Sequence, residues 1–175
     1  MVLRALVPSD VDALFEIFSH PEVMRYWSHT PMTERSEAEE LLEGIDDGFE
    51  AQALFEWGVA RRQDDRVIGT CTLFHFDDHH HRAEVGYALA RQHWRQGLMR
   101  EVLSALFDYA FFTLNLGRLE ADVDPRNTAS SRLLEGLGFQ REGYLRERWF
   151  VGGELQDALF YGLLRREWEA RRGAG

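Results

Sequence analysis

The stretch from Glu84 to Arg100 holds the densest group of residues able to do chemistry. It reads Glu-Val-Gly-Tyr-Ala-Leu-Ala from 84 to 90, then Arg91-Gln92-His93, then Trp94-Arg-Gln-Gly-Leu-Met99 opening a helix. A strand that runs through a glycine-bearing loop into a helix start presents free backbone N–H groups and the positive end of a helix dipole, which suit a pyrophosphate. Arg95, Gln96 and Arg100 add donors beside Gly97. One glycine is a weak phosphate signature, and a glycine-started helix in an ordinary sheet looks the same. Further on, Asp124-Pro-Arg-Asn127 supplies a stop and a cap ahead of Ser130 and Ser131. The run Asp77-Asp-His-His-His81 contains metal-ligand types. Turns rich in Asp and His are common, however, and nothing in the spacing calls for an ion, so no metal is expected.

These residues need elements to hold them. Residues 3–7 read as a short first strand, and Ser9-Asp10 as the cap of a helix with Val11, Leu14, Phe15 and Phe18 on one face, ending near His20-Pro21. A second helix is predicted over 33–48, with Ala38, Leu41, Leu42 and Ile45 inward and an acidic outer face. Residues 55–61, 67–74 and 83–90 read as an antiparallel meander. A helix over 97–114 follows, with Leu98, Val102, Ala105, Leu106 and Tyr109 toward the core. Then come a strand over 119–123, a short helix over 129–135 stopped by Gly136-Leu-Gly138, a hairpin of 148–151 and 155–163 around Gly153, and a tail that is a short helix or a frayed end.

The chain has 175 residues, 45% of them hydrophobic, which fits one compact domain spanning 1–175 with a full core. No apolar run is long enough to cross a bilayer, and the opening Met1-Val-Leu-Arg4 is no leader, so a cytoplasmic protein without membrane partners is expected. The formal charge of -10 disfavours a nucleic-acid backbone as partner and is compatible with cationic ones. Cys71, the single cysteine, reads as a small core residue.

In its order of motifs the sequence resembles the GNAT superfamily of acyl-coenzyme A N-acyltransferases, and within it the ribosomal-protein N-terminal acetyltransferase type. That superfamily's acetyl-coenzyme A loop, R/Q-x-x-G-x-G/A, aligns with Trp94 to Met99; Trp94 and Met99 depart from it, but a tryptophan there with Glu101 following is similar to the ribosomal branch. Ala83 to Tyr87, Asn127 to Ser130, Leu133 to Phe139 with Glu142-Gly143, Pro8 to Asp10, His20 to Trp27, and Asp157 carry the likeness over nearly the whole chain. The resemblance implies an α+β fold: a mixed, mostly antiparallel central sheet of about six or seven strands, flanked by helices and splayed at the acetyl-coenzyme A site. It further implies that the cofactor's pantetheine arm pairs like a strand with Tyr87, Ala88, Leu89 and Ala90, contacted by Asn127. The pyrophosphate would lie on Arg95, Gln96, Gly97, Leu98, Met99 and Arg100.

Aminolysis of a thioester requires a neutral amine, a stabilised oxyanion and a departing thiolate. A protein α-amine titrates near 7.7–8.0, so its neutral form at pH 7 costs about 1 kcal/mol, against about 4–5 kcal/mol for a lysine side chain. A modest base therefore serves for N-termini. Glu84 occupies, by resemblance, the position of the ribosomal branch's proposed general base, though it equally suits a solvated strand carboxylate. Ser130 matches the family's serine and is the candidate donor to the leaving thiolate; helix capping, Ser131 or a water are the alternatives. Tyr26 and Trp27 sit where the family walls the acceptor pocket, and otherwise are aromatics packed in the core. The acceptor is expected to be the N-terminal α-amine of a protein, and the resemblance implies a ribosomal one. Two rivals stand beside it: a small amine such as a polyamine, amino sugar or antibiotic, and a non-catalytic acyl-coenzyme A sensor. Monomer and homodimer are both compatible with the sequence.

Overall fold

Val2–Arg4 forms the first strand, β1, shorter than the sequence suggests. It ends because the Arg4 guanidinium forks onto both oxygens of Asp10, at 2.7 and 2.9 Å, and draws the chain out of the sheet. The computed structural model describes residues 1–173, and its contacts divide into two compact units. The first comprises residues 1–25, 31–75 and 85–106, the second 26–30, 76–84 and 107 onward.

In the first unit, α1 (Val11–Phe18) buries Val11, Leu14, Ile17 and Phe18. A one-turn helix that the sequence reading did not anticipate, α2 (Pro21–Met24), follows at once, started by Pro21 and capped by His20 Nδ1, which accepts from the Glu22 N–H at 3.2 Å. The long helix α3 (Arg35–Glu50) starts two residues later than the spacing predicts. Glu37 explains the offset: its Oε1 accepts from the amides of Thr33 and Glu34 and from the Thr33 hydroxyl, which fixes those residues as the cap. Antiparallel strands β2 (Leu54–Ala60) and β3 (Val67–Asp77) follow, with β1 on the outer edge of β2. Glu56 lies opposite Thr72 in that ladder and is only 7% exposed. Cys71 is buried as predicted, its sulfur 3.7 Å from that of Met99.

Strand β4 (Arg82–Leu89) leads to α4 (Leu98–Asp108), whose last turns widen into a π-helix at Tyr109–Thr113. The helix buries only part of the face that the spacing suggests: Val102 and Leu106 are buried as expected, but Ala105 and Tyr109 are exposed, while Leu103, Phe107, Ala110 and Phe111 are fully buried. Leu103 and Phe107 take the place expected of Ala105, since burying a leucine or phenylalanine contributes about 1.5–3 kcal/mol and an alanine far less.

The second unit is built on β5 (Arg118–Val123), α5 (Thr128–Leu137), β6 (Gln140–Val151), β7 (Glu154–Leu164) and α6 (Arg165–Gly173). Strand β6 begins eight residues before the expected hairpin. Its polar, charge-rich first half pairs with β7 through two register shifts, so it carries no clean alternation. Gly152 and Gly153, at φ 58° and 88°, make the two-residue turn that joins the strands. The tail is a helix because Trp168 is buried against Phe107 and its indole donates to Asp108 Oδ1 at 2.8 Å.

All seven strands form a mostly antiparallel sheet in the order β1-β2-β3-β4-β5-β7-β6. The exception is β4 with β5, which run parallel, as the intervening α4 crossover requires. Their ladder includes Arg82↔Arg118, Ala83↔Leu119 and Glu84↔Glu120.

Candidate functional site

In the first unit the predicted cofactor residues form one continuous stretch. Tyr87, Ala88, Leu89 and Ala90 run along the end of β4, with Ala88 and Ala90 buried. Strand β3 comes so close at Gly69 that a side chain there would collide with the Ala88 carbonyl oxygen. The Ala90 N–H donates to Ile68 O at 2.8 Å, which pins the exit of the strand. Trp94 then turns the chain: its indole N–H donates to Leu89 O at 2.6 Å, and the Arg91 guanidinium lies 4.8 Å from the ring centre. The sequence marks Trp94 as a departure from the superfamily's loop pattern that is similar to the ribosomal branch; here it ties the start of the loop to the strand that precedes it.

Arg95 and Gly97 adopt left-handed φ values of 62° and 75°. A Cβ on Gly97 would have nothing within 4 Å, so its backbone stands open in front of the helix that it starts. Gly97 O accepts from the amides of Arg100 and Glu101, at 3.1 and 3.4 Å. First-turn amides of such a helix point back past its start. Arg95, Gln96 and Arg100 are exposed around this cradle and Leu98 is half-buried. The side chain of Met99 is spent on the core, so only its main chain is available to a ligand. These features fit a pyrophosphate group: amides, a helix N-terminus, two arginines and a glycine whose missing side chain leaves room.

In the second unit Asn127 is the N-cap of α5, its Oδ1 accepting from the Ser130 N–H at 3.1 Å. Ser130 is half-buried in the first turn, whereas the Ser131 hydroxyl is turned fully inside. Tyr26 and Trp27 are half-buried rather than in the core. The Arg126 guanidinium sits 5.9 Å from the Tyr26 ring centre and is itself held by Asp124. Trp27 meets His29 edge to face at 5.5 Å. The Asp77 to His81 turn is organised by Asp77, which accepts from the His80 amide and ring and from Arg82. The His80 bonds hold its carboxyl down at about 2.

Glu84 is half-buried and level with Glu120 on the neighbouring strand. That face carries a charge ladder which sequence reasoning missed. Glu120 accepts from Arg118 Nε at 2.7 Å and from Arg82 Nη1 at 3.0 Å. Arg118 also reaches Glu142 on β6, and this bond holds the Glu142 carboxyl below its usual range. Gly162 of β7 lets the bridge cross, since a Cβ there would be 2.5 Å from Arg118 Nη2 and 2.6 Å from Glu142 Oε1. Two residues beyond Glu120, Asp122 Oδ2 accepts from Arg148 Nε at 3.0 Å. The signal was present in the alternation Glu120, Asp122, Asp124, but Arg82 and Arg148, which complete the ladder, come from other strands.

Arg148 belongs to the β6 segment that bulges between Leu145 and Trp149. Asp157 of β7 holds the bulge, accepting from the Tyr144 hydroxyl and from the Glu147 N–H. A cavity of about 660 Å³ is walled by the five consecutive residues 144–148.

Comparison with known proteins agrees with this architecture. Residues 1–140 match the model of the acetyltransferase (GNAT) domain. An uncharacterized N-acetyltransferase, p20, of Bacillus licheniformis is 41% identical over 96% of this chain and 94% of its own. A putative ribosomal N-acetyltransferase of Bacillus subtilis, YdaF, is 28% identical over 98% and 95%. The crystal structure of spermidine N-acetyltransferase from Vibrio cholerae in complex with CoA and spermine superposes with a TM-score of 0.85 at 28% identity, covering 96% of this chain and 97% of that one. The motifs around the Gly97 cradle, the seven-stranded sheet and these likenesses converge: the chain belongs to the GNAT acetyltransferase family, whose enzymes transfer the acetyl group of acetyl-coenzyme A to an amine.

Proposed function

We propose that the chain works as a single acetyltransferase domain in the cytoplasm and that its acceptor is the N-terminal α-amine of a protein. The observation that carries this reading is the cavity at the β6 bulge. Five consecutive residues of one strand can wall only one side of a volume of about 660 Å³, which suits an extended peptide better than an enclosed small molecule.

The residues divide the work as follows. Residues 95–100 hold the pyrophosphate, with Gly97 giving the backbone room, and the edge of β4 from Tyr87 to Ala90 pairs with the pantetheine arm. The bound acetyl-coenzyme A supplies an activated acetyl group on a sulfur that leaves readily. Glu84 takes the proton of the incoming amine, directly or through a water. Ser130 gives a proton to the departing sulfur, helped by the dipole of α5; the inward turn of the Ser131 hydroxyl supports this choice. Tyr26 and Trp27 border the acceptor.

A second reading, acetylation of a polyamine, is favoured by the likeness to the spermidine enzyme and by the carboxylates on the Glu84 face. The deciding assay is release of free thiol from acetyl-coenzyme A. Peptides beginning with Ser, Ala or Thr would be compared with spermidine and an aminoglycoside panel. Peptide-dependent release is expected. Release with small amines alone would replace this reading with the second, and tight cofactor binding without release from any acceptor would point to a sensor.

A further inference from the structure

Three carboxylates follow one another along β5 and just past it, and they are not equivalent. Both oxygens of Glu120 are taken by Arg118 and Arg82, and both of Asp124 by Arg126. Asp122 is different. Its side chain is only 10% exposed, yet Oδ1 is buried with no hydrogen-bond partner among the described residues. Its other oxygen is held by Arg148 alone, a side chain 42% exposed, which stands in the cavity wall and rests on Trp149 at 5.1 Å. A buried carboxylate oxygen without a donor is costly, about 1–3 kcal/mol or more, and fixed structure normally supplies the missing partner.

Position tells what that partner would be. Glu84 and Glu120 are register partners, so Asp122 lies one strand repeat, about 6.6 Å, beyond the level of Glu84 and on the same face. A base that receives a protonated amine at Glu84 therefore has a second carboxylate farther along the acceptor's path. The two are separated by a distance that three or four carbons span.

We infer that Asp122 is a specificity-determining residue that binds a second cationic nitrogen of the acceptor, and that Arg148 holds its place until that nitrogen arrives. The inference rests on Glu84 being the base beside the reacting amine. The shared chemistry is a second ammonium or guanidinium. Its source is a lysine or arginine near the start of a peptide, or the next nitrogen of a polyamine. Arg148 is suited to leave because it is anchored by one hydrogen bond among the described residues and sits in a bulge, where its departure breaks no sheet pairing.

The test compares the intact protein with Asp122→Asn and Arg148→Gln, using matched acceptors with one and two cations: Ser-Ala-Ala against Ser-Lys-Ala, and butylamine against 1,4-diaminobutane. KM and kcat are read by thiol release, and acceptor Kd by calorimetry on protein saturated with coenzyme A. The second measurement does not depend on turnover. Asp122→Asn is expected to raise KM and Kd about tenfold for the dicationic member of whichever pair is the acceptor class. It should leave the monocationic member and kcat within about twofold. Arg148→Gln should tighten the dication instead. Equal wild-type Kd for both members of both pairs would overturn the inference, as would an equal shift of both by Asp122→Asn. Should Asp122→Asn fail to fold, unchanged dication binding in Arg148→Gln overturns it as well. If the diamine pair shows the effect and peptides are not acetylated, the α-amine reading falls while the role of Asp122 stands.

Discussion

Glu84 on β4 is half-buried and Glu56 on β2 is buried, and the two should respond to substitution in opposite ways. Replacing Glu84 by Gln would remove the proposed proton acceptor and leave the proposed cofactor cradle in place. Cofactor Kd is then expected to stay within about twofold, with kcat/KM falling about 10- to 100-fold and most steeply at low pH, where the amine is hardest to deprotonate. A flat loss across the pH range would remove Glu84 from the chemistry. Glu56 concerns stability. Burial raises its carboxyl pKa above the ordinary 4.5, against the opposing pull of the Thr70 and Thr72 hydroxyls. The folded protein thus prefers Glu56 protonated. That contribution is fully present below pH 4.5 and is lost as pH rises through the folded value. Glu56→Gln is expected to match the wild-type Tm below pH 4.5 and to exceed it by a margin that widens as pH rises from there toward the raised folded value and then levels off. A gap that does not change with pH would contradict this. Neither the burial of Glu56 nor the orphaned oxygen of Asp122 was legible in the sequence, because each follows from what the adjacent strand brings opposite it.

The loop-to-helix element was legible for a physical reason: residue 97 needs a left-handed backbone, and glycine is the type that adopts it at no cost. Gly97→Ala should strain that φ of 75° by about 1 kcal/mol and raise the KM for acetyl-coenzyme A about fivefold, with kcat nearly unchanged; an unaltered KM would argue against the cradle. The strap across β7 was not legible, since Gly162 looks like any strand glycine. Its Cβ would intrude on the Arg118–Glu142 bridge, and Gly162→Ala is expected to cost about 1–3 kcal/mol, read as a lowered urea midpoint. The inward face of α4 was read only in part, at Val102 and Leu106, because periodicity identifies a helix more reliably than it selects among adjacent apolar residues; Leu103, Phe107 and Phe111 are buried where Ala105 and Tyr109 are not. The first half of β6 escaped notice because its bulges and charges erase the alternation by which strands are recognised.

At the scale of the whole molecule, a formal charge of -10 surrounds a reaction whose acceptor arrives as a cation. Long-range attraction should speed encounter, so kcat/KM for a basic acceptor is expected to fall several-fold between low and high salt while kcat holds. An uncharged-flank peptide should show a shallower fall, and identical slopes would mean that the field plays no part in capture. One thiol serves the entire chain, and it is sealed between β3 and α4 with its pKa pushed far up by burial. An aromatic disulfide dye added to follow coenzyme A therefore reads the reaction without background from the enzyme. The same dye, in the absence of substrate, becomes a clock for the moment when β3 and α4 part, one equivalent of colour per molecule that opens.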